Sequence, residues 1–360
     1  MSRAELIVAL TIFLLVMGSV MTSRLTRLSG SEAIAFDSNT VITFTELSGL
    51  DELEKNLDTL NVDYDSVELK WAATLLGWRK FQRGRYEFEG LLSYNAFLSK
   101  MTRGIQDPVE IVILPGITVE RFSSTIAEKL HFNEDDLLQV FSDSTYLSEK
   151  GFTEEELFGR MLPDTYSTYW TRSPRQIVNL VLREFKSKVE TTYQSRLKEL
   201  EYSANQIVTL ASIVEWEAKN SEEKPIISGL YWNRLKKGML LQADPTVNYA
   251  LGERRRLLFE DYLFDHPYNT YVNRGLPPGP ITNPSLSTIE ATLFPVEHDY
   301  LYMVANPEGG HVFTKTFQEH RRESEKWRIW LREQYRIKRQ QEAQQKDYIE
   351  NKELNTNSQR

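Results

Sequence analysis

Two glutamates, Glu215 and Glu217 in the segment LASIVEWEAK, are the acidic side chains whose spacing first suggests proton-transfer chemistry. A helix through this segment turns ~100° per residue, which places Ile207, Ala211, Val214 and Ala218 on one apolar stripe. The two carboxyls then diverge by ~200° onto opposite flanks and cannot serve one bond together. A closely spaced retaining pair is therefore not built from this helix alone, and only one of the two can be the central acid. Glu215 projects near Val208, Ala211 and Ser212, a semi-apolar setting that predicts a raised pKa and a protonated carboxyl near neutrality. The competing expectation is a pair of exposed helix-surface glutamates.

The elements that must carry these residues follow from periodicity and punctuation. Ser173 to about Ser195 reads as a helix, Ala204 to Lys219 as a second, and a third begins near Lys224. Between Gly238 and Pro284 the chain is rich in Gly, Pro, Asn and Tyr, an irregular stretch of the kind compact domains keep for binding or catalysis. Tyr300 to Val304 reads as a buried strand, Asn306 to Gly310 as a turn, and His311-Val312-Phe313 as the returning strand of a hairpin. Thr316 to about Tyr348 is helical and charged, with a frayed tail beyond. Upstream, Val41 to Phe44 reads as a strand, and Trp71 to Thr102 as a strand, a turn and a short helix closing at Gly104. A similar pattern follows: a strand over Val109 to Leu114, a Pro115-Gly116 turn, a helix from Thr118 through Leu130, and another over Asn133 to Val140. Such strand–helix–helix units resemble the small glycan-binding modules called LysM, and they equally fit a generic α+β packing unit. Gly159 to Tyr166 is a loop separating helical blocks.

At 360 residues the chain predicts two or three compact units. Its formal charge of -8 disfavours nucleic acid as a partner, and the absence of cysteine removes disulfides, thiolate zinc sites and a cysteine nucleophile. Leu6 to Met21 is uncharged and apolar, about 24 Å as a helix against a ~30 Å hydrocarbon core, so an anchor needs snorkelling flanks. A cleaved signal peptide is the alternative, although no small-x-small site follows at Gly18 to Thr22. Arg3 stands on one side and Arg24 and Arg27 on the other, so charge bias does not set the orientation.

A run of blocks in order carries a family resemblance. Leu210 to Glu217, then Tyr231-Trp232-Asn233-Arg234-Leu235, Gly238-Met239-x-Leu241-Gln242-x-Asp244-Pro245-Thr246-Val247, and Pro267-Tyr268-Asn269-Thr270-Tyr271 are followed by Gly275-Leu276-Pro277-Pro278-Gly279-Pro280-Ile281. Tyr300-Leu301-Tyr302 and Gly309-Gly310-His311-x-Phe313 complete the series. Over residues 205–325 the chain resembles the MltG (YceG-like) endolytic murein transglycosylases, with PGITVERF and LPDTY fitting upstream. Trp216, where the family often has a charged residue, and Ser285, where a glycine is usual, are departures expected not to touch the catalytic glutamate.

The resemblance implies an α+β chain with an N-terminal transmembrane helix, small LysM-like modules and a mixed helical and hairpin catalytic domain. The expected divisions are 1–23 for the cytoplasmic end and anchor, 24–105 for a stalk and first α+β region, and 106–200 for a LysM-like module with connecting helices. A transglycosylase catalytic domain is expected over 201–335 and a charged tail over 336–360. It also implies that the first glutamate of the helix, Glu215, is catalytic. Such an enzyme cuts the MurNAc–GlcNAc bond within nascent peptidoglycan strands, leaves 1,6-anhydroMurNAc ends, and needs no metal or cofactor because one carboxyl is acid and then base. Gln242, Asp244 and Asn269 suit sugar hydroxyls and N-acetyl groups, Tyr268 and Tyr271 can stack on pyranose faces, and His311 can position substrate or the glutamate. The expected place is the bacterial cytoplasmic membrane, crossed once through residues 6–21, with the body outside. The helix around Trp327, Trp330 and Arg336 is either a dock for cell-wall synthesis proteins or a packing helix. Two other functions stay open: an inverting peptidoglycan hydrolase using Glu215 and Asp244, and a non-catalytic, membrane-tethered glycan-binding protein.

Overall fold

A computed structural model describes residues 2–29, 33–218 and 220–357. In chain order the first elements are α1 (Arg3–Ser29), β1 (Ile34–Phe44), α2 (Leu50–Thr59), α3 (Ser66–Leu76), β2 (Gly84–Leu92), α4 (Tyr94–Thr102) and β3 (Pro108–Ile113). There follow α5 (Val119–Ala127), α6 (Glu134–Ser142), α7 (Ser144–Lys150), α8 (Glu154–Phe158), β4 (Asp164–Tyr169), α9 (Pro174–Phe185) and α10 (Gln194–Leu200). The last are α11 (Ala204–Glu217), α12 (Lys224–Lys236), α13 (Asp244–Leu251), α14 (Leu286–Leu293), β5 (Tyr302–Ala305), β6 (His311–Thr314) and α15 (Phe317–Asn357). The chain is α+β, with three two-stranded antiparallel sheets, β1–β2, β3–β4 and β5–β6.

Two compact units divide the chain. The first comprises residues 1–113, 120–140 and 164–179. Alternate residues Ile34, Phe36, Ile42 and Phe44 of β1 are buried, as a half-buried strand requires, and Phe36 meets Phe88 of β2 at 5.1 Å and Phe97 of α4 at 5.1 Å. Asp65 caps α3 by accepting from the amides of Val67 and Glu68, and Gly77, at φ +73°, ends it. Helix α1 has 27 residues, about 40 Å at ~1.5 Å each, and is apolar enough to cross a membrane. It runs past Met21 to Ser29, so the expected stalk is helix at its start, while the uncharged run within the helix ends before Arg24. Its end is held to the body: Arg27 pairs with Glu68 at 2.7 Å, Arg24 lies 5.1 Å from the Trp71 ring, and Leu28 packs on the core.

The second unit comprises residues 114–119, 141–163 and 180–360. Helix α11 begins in a capping box, with Ser203 accepting from the Gln206 amide and Gln206 from that of Ser203. It stops at Glu217, earlier than expected; Ala218 is already extended and Lys219 lies outside the described residues. Every residue from Ile207 to Val214 is buried, so the expected one-sided stripe is wrapped on all faces. The Gly238 to Pro284 stretch, expected to be irregular throughout, contains α13, which opens with Asp244-Pro245. Strand β5 is half-buried along its length, because the two-stranded sheet β5–β6 leaves part of each face open. Helix α15 continues through Asn357 where a frayed tail was expected, with Trp327 and Trp330 stacked on each other at 4.8 Å; Ser358 to Arg360 lie outside the described residues.

Candidate active site

Helix α11 delivers its two glutamates to different surroundings, as their angular separation requires, but the surroundings are the reverse of those expected. Glu215 turns toward α12 and α14. One oxygen takes a 3.1 Å ion pair from Lys224 Nζ; the other accepts from the Ser285 amide at 3.0 Å, from Ser285 Oγ at 2.8 Å, and from the Thr288 hydroxyl. The side chain is only 9% exposed. Burial alone raises its pKa, yet the hydrogen bonds from Thr288 and Ser285 and the Lys224 charge outweigh it and hold the carboxyl below its ordinary value. The expected raised pKa is therefore corrected, because each partner except burial favours the charged form. Ser285, expected to stay clear of this glutamate, is one of its principal donors. Trp216 instead donates Nε1 to the Gly116 carbonyl at 2.9 Å and lies under Arg254 at 4.2 Å.

Glu217 faces a cavity of about 440 Å³ whose lining includes Tyr231, Arg234, Gln242, Asp244, Tyr271 and His311. Removal from water raises its pKa to about 7, and repulsion from Asp244 adds to the rise; the Tyr231 hydroxyl, 3.3 Å from Oε1, and the Arg234 charge oppose it. As the last residue of α11, Glu217 also meets the negative end of the helix dipole, which disfavours its anion further. A half-buried carboxyl that gives and takes a proton near neutrality is what acid–base catalysis calls for.

The loop before α13 is shaped by backbone and hydroxyl contacts. Gln242 adopts φ +51°, its amide donates to the Thr270 carbonyl at 3.1 Å, and the Ala243 amide donates to Thr270 Oγ1 at 3.0 Å. This turn sets Asp244 in the first turn of α13, where the Tyr271 hydroxyl donates to it at 2.6 Å. Arg234 is buried and spends its guanidinium on the carbonyls of Leu301 at 2.7 Å and Leu241 at 2.6 Å, tying α12 to the hairpin and to the loop. On β6, His311 reaches Glu223, whose two oxygens accept from its backbone amide at 2.7 Å and contact its Nδ1 at 2.9 Å.

Four expected substrate-binding residues, Gln242, Asp244, Tyr271 and His311, thus come together around Glu217. Tyr268 and Asn269 do not line this cavity. Asn269 is fully buried, donates to the carbonyls of Tyr262 and Phe264, and accepts from the Tyr271 amide, so its amide group is consumed in shaping the loop. Tyr268 is 6% exposed and packs against Tyr249 at 4.6 Å, which leaves no open ring face for a sugar. Tyr231 and Arg234 stood in the quoted Tyr-Trp-Asn-Arg-Leu block and were signalled only by it; Glu223 carried no sequence signal. Among the described residues no group of three or more His, Asp and Glu side chains is arranged to hold a metal ion.

Fold and site define an α+β chain with an apolar N-terminal helix and a cavity built around one high-pKa glutamate. The model of the YceG-like family matches residues 42–326, and the chain belongs to that family. It is 31% identical over 82% of its length, and 87% of the relative's, to a Bacillus subtilis (strain 168) protein named endolytic murein transglycosylase. A Streptococcus pneumoniae protein of the same name is 26% identical over 76% of this chain, which spans 55% of that longer relative. A crystal structure of a yceG-like protein from Listeria monocytogenes superposes with a TM-score of 0.56 at 29% identity, covering 79% of this chain and 98% of the other.

Proposed function

We propose that this chain is a membrane-anchored endolytic lytic transglycosylase of peptidoglycan in which Glu217, rather than Glu215, is the acid and then the base. The family and the names of its relatives support the reaction class. The observation that carries the residue is the contrast between a cavity-facing carboxyl raised to about 7 and a neighbour held ionised by Lys224, Ser285 and Thr288. Protonated Glu217 gives its proton to the glycosidic oxygen as the MurNAc C1–O bond breaks. The resulting carboxylate takes the proton of the muramyl 6-hydroxyl as that oxygen bonds to C1, which closes the 1,6-anhydro ring and restores the acid. No water is consumed. Asp244, held by Tyr271, serves by repulsion, keeping the proton on Glu217 at neutral pH.

One observation favours a second reading: Asp244 shares the cavity with Glu217, so an inverting hydrolase with Asp244 holding water is chemically conceivable if the carboxyls stand ~6.5–9.5 Å apart. Product ends separate the two. Anhydro ends belong to the transglycosylase, and reducing ends to the hydrolase.

In this reading α1 crosses the cytoplasmic membrane once, with Arg3 inside and the body outside where peptidoglycan lies. Its length supports the span, and a reporter fused at the C-terminus that works only in the cytoplasm would overturn the topology. Four helices, α5 to α8, separate β3 from its antiparallel partner β4; of these, most of α5 and α6 fall in the same compact unit as the two strands, which supports a LysM-like glycan-binding module within residues 106–200. Glycan-induced NMR shifts within 108–169 of the soluble body are expected, and shifts confined to 201–335 would remove that assignment.

A further inference from the structure

We propose that Glu223 is a positioning residue that fixes His311 with its proton on Nδ1 and its Nε2 lone pair toward the Glu217 cavity, where it accepts a hydrogen bond from a sugar hydroxyl. The inference deepens the proposed function and rests on it for the identity of the ligand. Its geometry stands independently. Glu223 lies just beyond α11, in the short turn before α12, and His311 begins β6, so 88 residues separate two groups that meet through two contacts. Oε1 accepts the His311 backbone amide at 2.7 Å and Oε2 lies 2.9 Å from Nδ1. A carboxylate has no proton to give, so the shared hydrogen must sit on Nδ1. In a neutral imidazole the other nitrogen is then an acceptor, and the ring plane is fixed by the same contact.

Three further features fit that role. Both side chains are sheltered, His311 at 13% and Glu223 at 14% exposure, so the pair is not a loose surface contact. His311 lines the same cavity as Glu217, Gln242 and Asp244, and Nε2 makes no hydrogen bond to a described residue. Gly310 makes the approach possible: at φ +71° it adopts a backbone that side chains disfavour, and a Cβ there would collide with Glu223 Oε1 and push the carboxylate away. The Gly309-Gly310-His311 order is thus a way of letting a carboxylate reach the histidine's main chain and ring at once. Other neutral acceptors on the cavity wall are the Gln242 amide oxygen, the Tyr231 and Tyr271 hydroxyl oxygens and the His320 ring, but the Tyr231 and Tyr271 hydroxyls already face Glu217 and Asp244. A neutral acceptor is what an uncharged hydroxyl needs without repelling the anion that forms on Glu217.

The test combines a tautomer measurement with a double-mutant cycle. Ring-nitrogen NMR of the full-length chain in detergent micelles, recorded above the ordinary histidine pKa, should show Nδ1 protonated in the wild type and a mixture or the Nε2-protonated form in Glu223→Ala. On peptidoglycan, His311→Ala and Glu223→Ala should each raise KM on the order of tenfold with kcat little changed, since a hydroxyl contact is made in ground and transition states alike. The double variant should lose no more than His311→Ala alone, because Glu223 acts through the ring. An Nε2-protonated wild type, an unchanged KM in His311→Ala, or losses that multiply in the double variant would overturn the proposal. Glu217→Gln separates it from the wider reading: should that variant still cleave while the tautomer is as stated, the acid assignment falls and the Glu223–His311 assignment remains.

Discussion

Replacing Glu217 by Gln is expected to stabilise the protein, and to do so only at higher pH. Glu217 is raised from 4.5 to about 7, so the folded state binds its proton more tightly than the unfolded state. A group of this sign contributes stability that is fully present below pH 4.5 and lost as pH rises through 7. At about 1.4 kcal/mol per pKa unit, ionising Glu217 in its cavity therefore costs about 3 kcal/mol by pH 8. The amide keeps the shape and cannot ionise. Urea unfolding of wild type and Glu217→Gln at pH 4.5, 6 and 8 measures the difference directly. The gap should be small at the lowest pH and should widen in favour of the variant by about 3 kcal/mol at the highest. A difference that stays flat with pH, or one that favours wild type increasingly as pH rises, would refute the reasoning and remove the physical basis for choosing Glu217.

Glu215→Gln should behave oppositely: it strands the buried Lys224 without its counter-ion and should destabilise by about 3–5 kcal/mol at pH 7. Because the Glu215 pKa is lowered, that deficit should shrink as pH falls below 4.5, as the same urea series would report. Asp244→Asn removes the repulsion that helps keep Glu217 protonated, so the alkaline limb of the kcat/KM profile should move to lower pH. An alkaline limb unmoved, or moved upward, would mean that Asp244 does not govern that proton.

Much of the scaffold was legible because local signals agreed with tertiary demands. The strand at Val41 to Phe44, the Gly104 helix end, the short helix after Asn133 and the start of α12 near Lys224 all stand where periodicity and punctuation place them. The opposite placement of Glu215 and Glu217 also followed from helix geometry. Which flank held the acid did not. A helix read alone shows its own neighbours, whereas the pKa of Glu215 is decided by Lys224, Ser285 and Thr288, which lie 9 to 73 residues away. The end of α11 at Glu217 was equally invisible, since no glycine or proline marks it, and that end gives Glu217 its dipole and its cavity. Asn269 and Tyr268 show the same limit from the other side. Their residue types suit a sugar, but an Asn beside a tight loop is as useful for caging carbonyls, and only the fold shows its amide already engaged.

The central claim is that one carboxyl, Glu217, carries a reaction without water. Mass spectrometry of fragments from purified peptidoglycan digested in oxygen-18 water tests it most directly, with wild type, Glu215→Gln and Glu217→Gln compared in the pH range where all three are folded. The account predicts 1,6-anhydromuramic ends, no label, products from within strands, and no cleavage by Glu217→Gln while folded Glu215→Gln retains some. Labelled reducing ends would show a hydrolase, and full cleavage by Glu217→Gln would contradict the assignment outright.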